Sequence, residues 1–233
     1  MTYEGSTRVV ERALDSMHSH ALLEGLRRRG AHPADAVLAA AAGAAAADLG
    51  CRAVRVVMEL HGREEEVVGG ADVSRTVGWF TALVPVLVEA ASGAGPREVL
   101  DSAREACSRH ALEHGLWRYG ASDTTVRSRL EGAERPWVSV NYLGGLGSVF
   151  TGTAGRGDDG LVEVPLPYRG DRGPGNPRPF HWEFSAYTTG DELRLRLAHA
   201  GDSGQAERLL DMACDYLRSL AAVLGTADQE ESR

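Results

Sequence analysis

Residues 52 to 89 read R-A-V-R-V-V-M-E-L-H-G-R-E-E-E-V-V-G-G-A-D-V-S-R-T-V-G-W-F-T-A-L-V-P-V-L-V-E, and the fold turns on them. Val54, Val56, Val57, Met58 and Leu60 form a β-branched apolar run between Gly50 and Gly62, the pattern of a buried strand. A polar loop follows, with Glu64, Glu65, Glu66 and the pair Gly69-Gly70. The apolar run from Trp79 to Val88 then reads as a second strand. Glu59, His61 and Arg63 fall on alternate positions where the first strand ends, which places them on one face. Three polar groups converging where a core strand meets a loop suit chemistry.

Outward from this unit, the chain alternates helical and strand patterns. Ser6 or Thr7 can cap a first helix carrying Val9, Val10, Ala13, Leu14 and Met17 on one face, with His18 and His20 following. Pro33 starts an Ala-rich helix to about Leu49, whose small side chains let it lie close to a sheet. Gly95-Pro96 opens an amphipathic helix with Val99, Leu100, Ala103, Cys107, Ala111 and Leu112 inward. Trp137 to Tyr142 alternates as a strand, and Leu161 to Tyr168 reads as an edge strand because of Pro165 and Pro167. Phe180–Tyr187 and Leu193–His199 pair as a hairpin across Thr189-Gly190-Asp191. Asp202 and Gln205 resemble a capping box for a last helix with the stripe Leu209, Leu210, Ala213, Tyr216, Leu217, Leu220 and Leu224. The expectation is one α/β domain over residues 1–225, with a frayed tail at 226–233.

Composition bounds the function. The chain of 233 residues is long enough to bury a core, and its 43% hydrophobic content is ordinary for a globular protein. A formal charge of -8 argues against nonspecific nucleic-acid binding, which needs a basic face. The basic residues are all arginine and isoleucine is absent, a coding bias rather than a chemical signal. Cys51, Cys107 and Cys214 are widely spaced and odd in number, which fits reduced thiols in a cytoplasmic protein. No apolar run is long enough for a bilayer, so no membrane partner is expected.

Four stretches carry a family resemblance. Glu59-Leu60-His61-Gly62-Arg63-Glu64 resembles the E-G-H-G-R-E motif of nonribosomal peptide synthetase epimerization domains. Arg75-Thr76-Val77-Gly78-Trp79-Phe80-Thr81, ending in Val84-Pro85-Val86, resembles the R-T-V-G-W-F-T…P-V motif that follows it there. Val140-Asn141-Tyr142-Leu143-Gly144 resembles their F-N-Y-L-G signature, and Gly115 to Gly120 is an echo of their G-x-G-Y-G element. The resemblance covers nearly the whole chain but only the C-terminal half of that domain. It implies one lobe of a chloramphenicol-acetyltransferase-like fold, a mixed sheet flanked by helices.

The resemblance also implies a reaction: epimerization at Cα of an aminoacyl or peptidyl thioester held on the phosphopantetheine arm of a carrier protein. No cofactor is bound directly; the arm is the tether. Glu59 matches one of the family's two acid/base groups, with pairing to a nearby Arg such as Arg63 as the bland alternative. Asn141 and Tyr142 match residues that help line the chamber, where an amide or hydroxyl could stabilise an enolate oxygen. His61, Arg63 and Trp79 join them as substrate-binding candidates, although Trp79 also reads as a core aromatic opening its strand. Leu60 stands where the family has Gly and is expected to place bulk beside Glu59.

The second acid/base group, from an H-H-x-x-x-D-G motif, belongs to the other lobe and is missing. Ser19-His20-Ala21-Leu22-Leu23-Glu24-Gly25 mimics that motif loosely, and His20 reads as a solvated helix histidine. The Met1 start near the family's lobe boundary points to a free-standing half domain, completed by a separate N-terminal lobe or by a homodimer. A non-catalytic docking module for a carrier protein or synthetase, and a self-paired lobe with different chemistry, are the alternatives. His110-Ala111-Leu112-Glu113-His114 has metal-ligand spacing but no distinctive third ligand, so no metal site is expected. Gly201-Asp202-Ser203-Gly204 sits at a helix start, where capping explains it.

Overall fold

The computed structural model describes residues 2–63, 70–108, 123–125, 128–129, 137–145 and 172–230. In chain order these form β1 (Arg8–Ala13), α1 (Ser16–Arg28), α2 (Pro33–Leu49), β2 (Ala53–Leu60), β3 (Ala82–Glu89), α3 (Pro96–Ser108), β4 (Val138–Gly145), β5 (Trp182–Thr189), β6 (Glu192–His199) and a last helix, α4 (Ser203–Glu230). The strands make one six-stranded mixed sheet in the order β1-β6-β5-β4-β2-β3. β2, β4 and β5 run parallel to one another, and the other pairings are antiparallel.

Strand periodicity sorts the sheet into two faces. Val54, Val56 and Met58 of β2, Val138 and Val140 of β4, and Leu193, Leu195 and Leu197 of β6 are buried in one core with the described helices. α2 lies deepest: an unbroken run from Ala36 to Ala42 is buried, because methyl side chains admit neighbours on every side of the helix. Its capping box runs from His32 to Asp35, and Gly50 closes it in the left-handed region at φ 63°. The opposite face of the sheet carries Glu59, Asn141, Glu183, Arg194 and Arg196.

Several expectations hold. α2 starts at Pro33 and ends at Leu49, the β5–β6 hairpin turns at Gly190-Asp191, and the expected stripe of α4 is buried except for Tyr216, which is half-buried. The Tyr216 hydroxyl donates to the Pro96 carbonyl and ties α4 to α3. Val99, Leu100 and Ala103 form the buried face of α3, while Ala111, Leu112, the His110–His114 pattern, Gly115–Gly120 and Leu161–Tyr168 lie outside the described residues.

Others are corrected. The first element is a strand, not a helix: β1 pairs with β6 across six residue pairs, and α1 begins only at Ser16, capped by Asp15, which accepts from the His18 amide at 2.9 Å. Val9 and Val10 are β-branched, and an open sheet edge rewards them more than a solvated helix would. Met17, expected inward, is exposed. The second central strand starts at Ala82 rather than Trp79, and Pro85 is tolerated because β3 is an edge strand. Asp202 caps α4 by accepting from the Gln205 amide, but the Gln205 side chain donates to Asp48 on α2, so only half of the box forms. α4 continues beyond Gly225 to Glu230.

Candidate functional site

Glu59 sits near the end of β2, opposite Asn141 in the parallel β2–β4 register. That register brings residues 82 apart in sequence together: the Asn141 amide donates to Glu59 Oε2 at 2.7 Å. Oε1 has no hydrogen-bond partner among the described residues. The carboxyl is half-buried, and its proton affinity is raised above the usual glutamate value. Burial is the main cause, the charge of Glu183 adds to it, and Arg172 and the Asn141 hydrogen bond oppose it. A carboxyl with one oxygen fixed and one open, in partly desolvated surroundings, is suited to taking up and giving back a proton.

Arg63 does not pair with Glu59. It turns toward the loop of residues 70–81, where Nη1 donates to the carbonyls of Val73 at 2.6 Å and Thr76 at 2.9 Å, and its guanidinium lies 4.1 Å from the Phe80 ring centroid. Gly62 completes this clasp. It adopts φ +64°, and a Cβ on it would fall 1.8 Å from the Phe80 carbonyl oxygen, so only glycine fits. His61 is exposed, and its Nδ1 accepts from the Arg63 amide at 3.0 Å.

The clasped loop holds Val77 and Trp79 in solvent, Trp79 being 91% exposed, which corrects its reading as a core aromatic. It lies before β3 begins, so no sheet neighbour covers it. Leu60 is also corrected: alternation sends it to the helix face, where it packs against the core, away from the Glu59 carboxyl. Tyr142 follows the same rule. It is turned to the helix side, packs on the core and meets the His32 ring edge-on at 5.7 Å, with burial raising its hydroxyl pKa against a hydrogen bond to Thr188. Asn141 and Tyr142 thus face opposite sides of β4. His20 is solvent-exposed on α1, and no cluster of three metal-ligating side chains occurs among the described residues.

Motif reading misses the charged groups beside Glu59. Glu183 and Arg172 lie in no motif, and only the alternation of β5 could have put Glu183 on the Glu59 face.

Among similar proteins, a linear gramicidin synthase polypeptide of Brevibacillus parabrevis is 30% identical over 185 residues, covering 78% of this chain and 4% of the relative. Among solved structures, the epimerization domain from the third module of tyrocidine synthetase B superposes with a TM-score of 0.79 at 22% identity, over 95% of this chain and 49% of that one. The first condensation domain of the CDA synthetase gives 0.58 at 20% identity, over 92% and 45%. The chain's sequence is similar to stretches of nonribosomal peptide synthetases, and its fold is that of the epimerization and condensation domain superfamily. No family model matches it. Its six-stranded sheet and described helices are one lobe of this superfamily's chloramphenicol-acetyltransferase-like fold. The chain spans about half the length of the solved superfamily domains it matches and a few percent of the synthetase polypeptides. Among the described residues, no helix is long and apolar enough to cross a membrane.

Proposed function

We propose that this chain is the C-terminal lobe of an epimerization-type catalyst and acts with a complementary lobe on aminoacyl or peptidyl thioesters tethered to a carrier protein. The carboxyl of Glu59 carries the reading: half-buried, fixed through one oxygen by Asn141, and raised in proton affinity. In the forward direction the thioester Cα–H bond breaks, its proton passes to a carboxylate oxygen of Glu59, and the electron pair delocalises into the thioester carbonyl as an enolate. A second acid, supplied by the H-H-x-x-x-D-G motif of the other lobe, protonates Cα from the opposite face. Microscopic reversibility lets the two groups exchange roles. Asn141 keeps the Glu59 carboxyl aimed, and the complementary lobe excludes water that would screen the developing charge.

The test is mass spectrometry of deuterium exchange at Cα in a carrier-bound aminoacyl thioester, with this chain alone, with a complementing lobe, and with the two halves mixed after Glu59→Gln. Exchange requires both lobes, and Glu59→Gln lowers it by roughly 10²–10⁴-fold without lowering thermal stability. Near-normal exchange in that variant removes Glu59 from the chemistry.

A second reading, a docking module for a carrier protein or synthetase without turnover, is favoured by one observation. Val77 and Trp79 stand in solvent on a loop clasped by Arg63 and Gly62. Carrier binding that survives Glu59→Gln, with no exchange in any wild-type mixture, selects that reading.

A further inference from the structure

On the sheet face that carries Glu59 and Asn141, two acids and two arginines close a ring of alternating charge. Glu183 accepts from Arg178 through Oε2 and from Arg172 at 3.4 Å through Oε1. Glu4 accepts from Arg172 at 2.9 Å through one oxygen and from Arg178 at 3.5 Å through the other. Arg178 is locked: its side chain is 1% exposed, and it also donates to Thr7 Oγ1 at 2.5 Å and to the Ala198 carbonyl at 3.1 Å. Arg172 is the outer member of the ring, 47% exposed.

The sheet aims this ring at Glu59. Glu59 lies opposite Asn141 on β4, and Glu183 lies opposite Ser139 on the same strand, so the two carboxyls share a face two strands apart and offset by the two residues from Ser139 to Asn141. Two strand spacings of about 4.8 Å and a rise of about 3.3 Å per residue put the two positions roughly 12 Å apart, a distance at which charges still couple when burial thins the intervening water. Among the described residues, the other charged groups on this face are farther along or paired elsewhere. Glu11 pairs with Arg194 and Arg196, Tyr187 sits among them, Arg55 is exposed nearer the start of β2, and His61 and Arg63 belong to the clasp beyond its end.

We propose that Glu183 and Arg172 are positioning residues for Glu59, their ion pair fixing the local charge against which Glu59 takes up and returns its proton. Arg178 and Glu4 act behind them, holding Glu183 in one rotamer. The directions agree: Glu183 raises the proton affinity of Glu59, and Arg172 lowers it. The catalytic meaning of this coupling rests on the acid/base role proposed for Glu59, whereas the coupling itself is a property of this chain.

The experiment is a carbon-13 NMR titration of the whole chain labelled at glutamate Cδ, with the Glu59 resonance assigned by its loss in Glu59→Gln. Three variants are compared with wild type: Glu183→Gln, Arg172→Ala and Arg172→Lys. The expected result is that the Glu59 midpoint falls in Glu183→Gln, rises in Arg172→Ala, and returns toward wild type in Arg172→Lys. A midpoint unchanged in Arg172→Ala, or moved downward, overturns the proposal. Glu183→Gln removes a partner of a buried arginine, so its thermal melt is recorded alongside; if it does not fold, the half-exposed Arg172 variants decide alone. The titration needs no turnover. Coupling observed together with normal exchange in Glu59→Gln would therefore sink the acid/base reading and leave the coupling standing.

Discussion

Gly62→Ala should be among the most damaging single-methyl changes near the candidate site. The new Cβ meets the Phe80 carbonyl oxygen, and the backbone is held in a conformation that L residues rarely adopt. Strain of this kind costs about 1–3 kcal/mol, and each kcal/mol lowers Tm by about 2–4 °C in a chain of this size. A thermal melt unchanged from wild type would mean the clasp is looser than described. Glu59, Gly62 and Asn141 are legible in the sequence only as members of stretches that resemble family motifs. The surroundings of Glu59 are not. Tyr142 is one residue from Asn141, yet strand alternation sends it to the other face, and Arg172 and Glu4 meet across 168 positions with no local pattern to announce them. Trp79 misleads for a related reason: its apolar neighbours suggest a strand, while Gly62 and Arg63 hold it in a loop.

At the scale of elements, Ser19 is the clamp between α1 and the sheet. It is fully buried, its hydroxyl donates to the Leu14 carbonyl at 3.1 Å and accepts from the Leu193 amide at 2.9 Å, and the Leu14 amide in turn donates to the Leu193 carbonyl. Ser19→Ala strands a buried amide and should cost about 1–3 kcal/mol, read as a lower urea midpoint with an unchanged slope. An unaltered midpoint would show that the amide finds another partner. This residue sits where a loose likeness to a catalytic histidine motif begins, and its structural duty accounts for it. The same region shows why β1 escapes sequence reading. Val9, Val10, Ala13 and Leu14 satisfy helical spacing as well as they satisfy a strand, and only the free edge of β6 decides between them. α2 and the β5–β6 hairpin are legible because Pro33, Gly50 and Gly190 mark their ends in local chemistry.

Across the whole molecule, stability should depend on pH through groups buried with opposite signs. His199 is 1% exposed, and burial, opposed by a hydrogen bond with the Gly201 backbone and reinforced by the charges of Arg178 and Arg8, holds its pKa below the ordinary value near 6.5. His181 is lowered too, by burial and Arg178. As pH falls below that ordinary value the unfolded chain takes up protons that the folded chain refuses, so stability declines. Glu59 and Glu183 work the other way: their raised folded pKa values give stability that is fully present below the ordinary glutamate value and is lost as pH rises through the folded one. Urea midpoints for wild type and His199→Leu at pH 7.5 and 5.5 isolate the histidine. The variant should lose less stability on acidification, and equal losses would refute the assignment.

The pairing of β1 with β6 has a consequence for the order in which the chain can be built. Arg8–Ala13 is made well before Glu192–His199, the strand with which its backbone pairs. Until that strand emerges, the β-branched opening segment has no edge to join, and joining it closes the longest loop in the sheet. Docking of β1 must therefore follow the synthesis of β6, and until then Val9 and Val10 are the residues a chaperone would find uncovered.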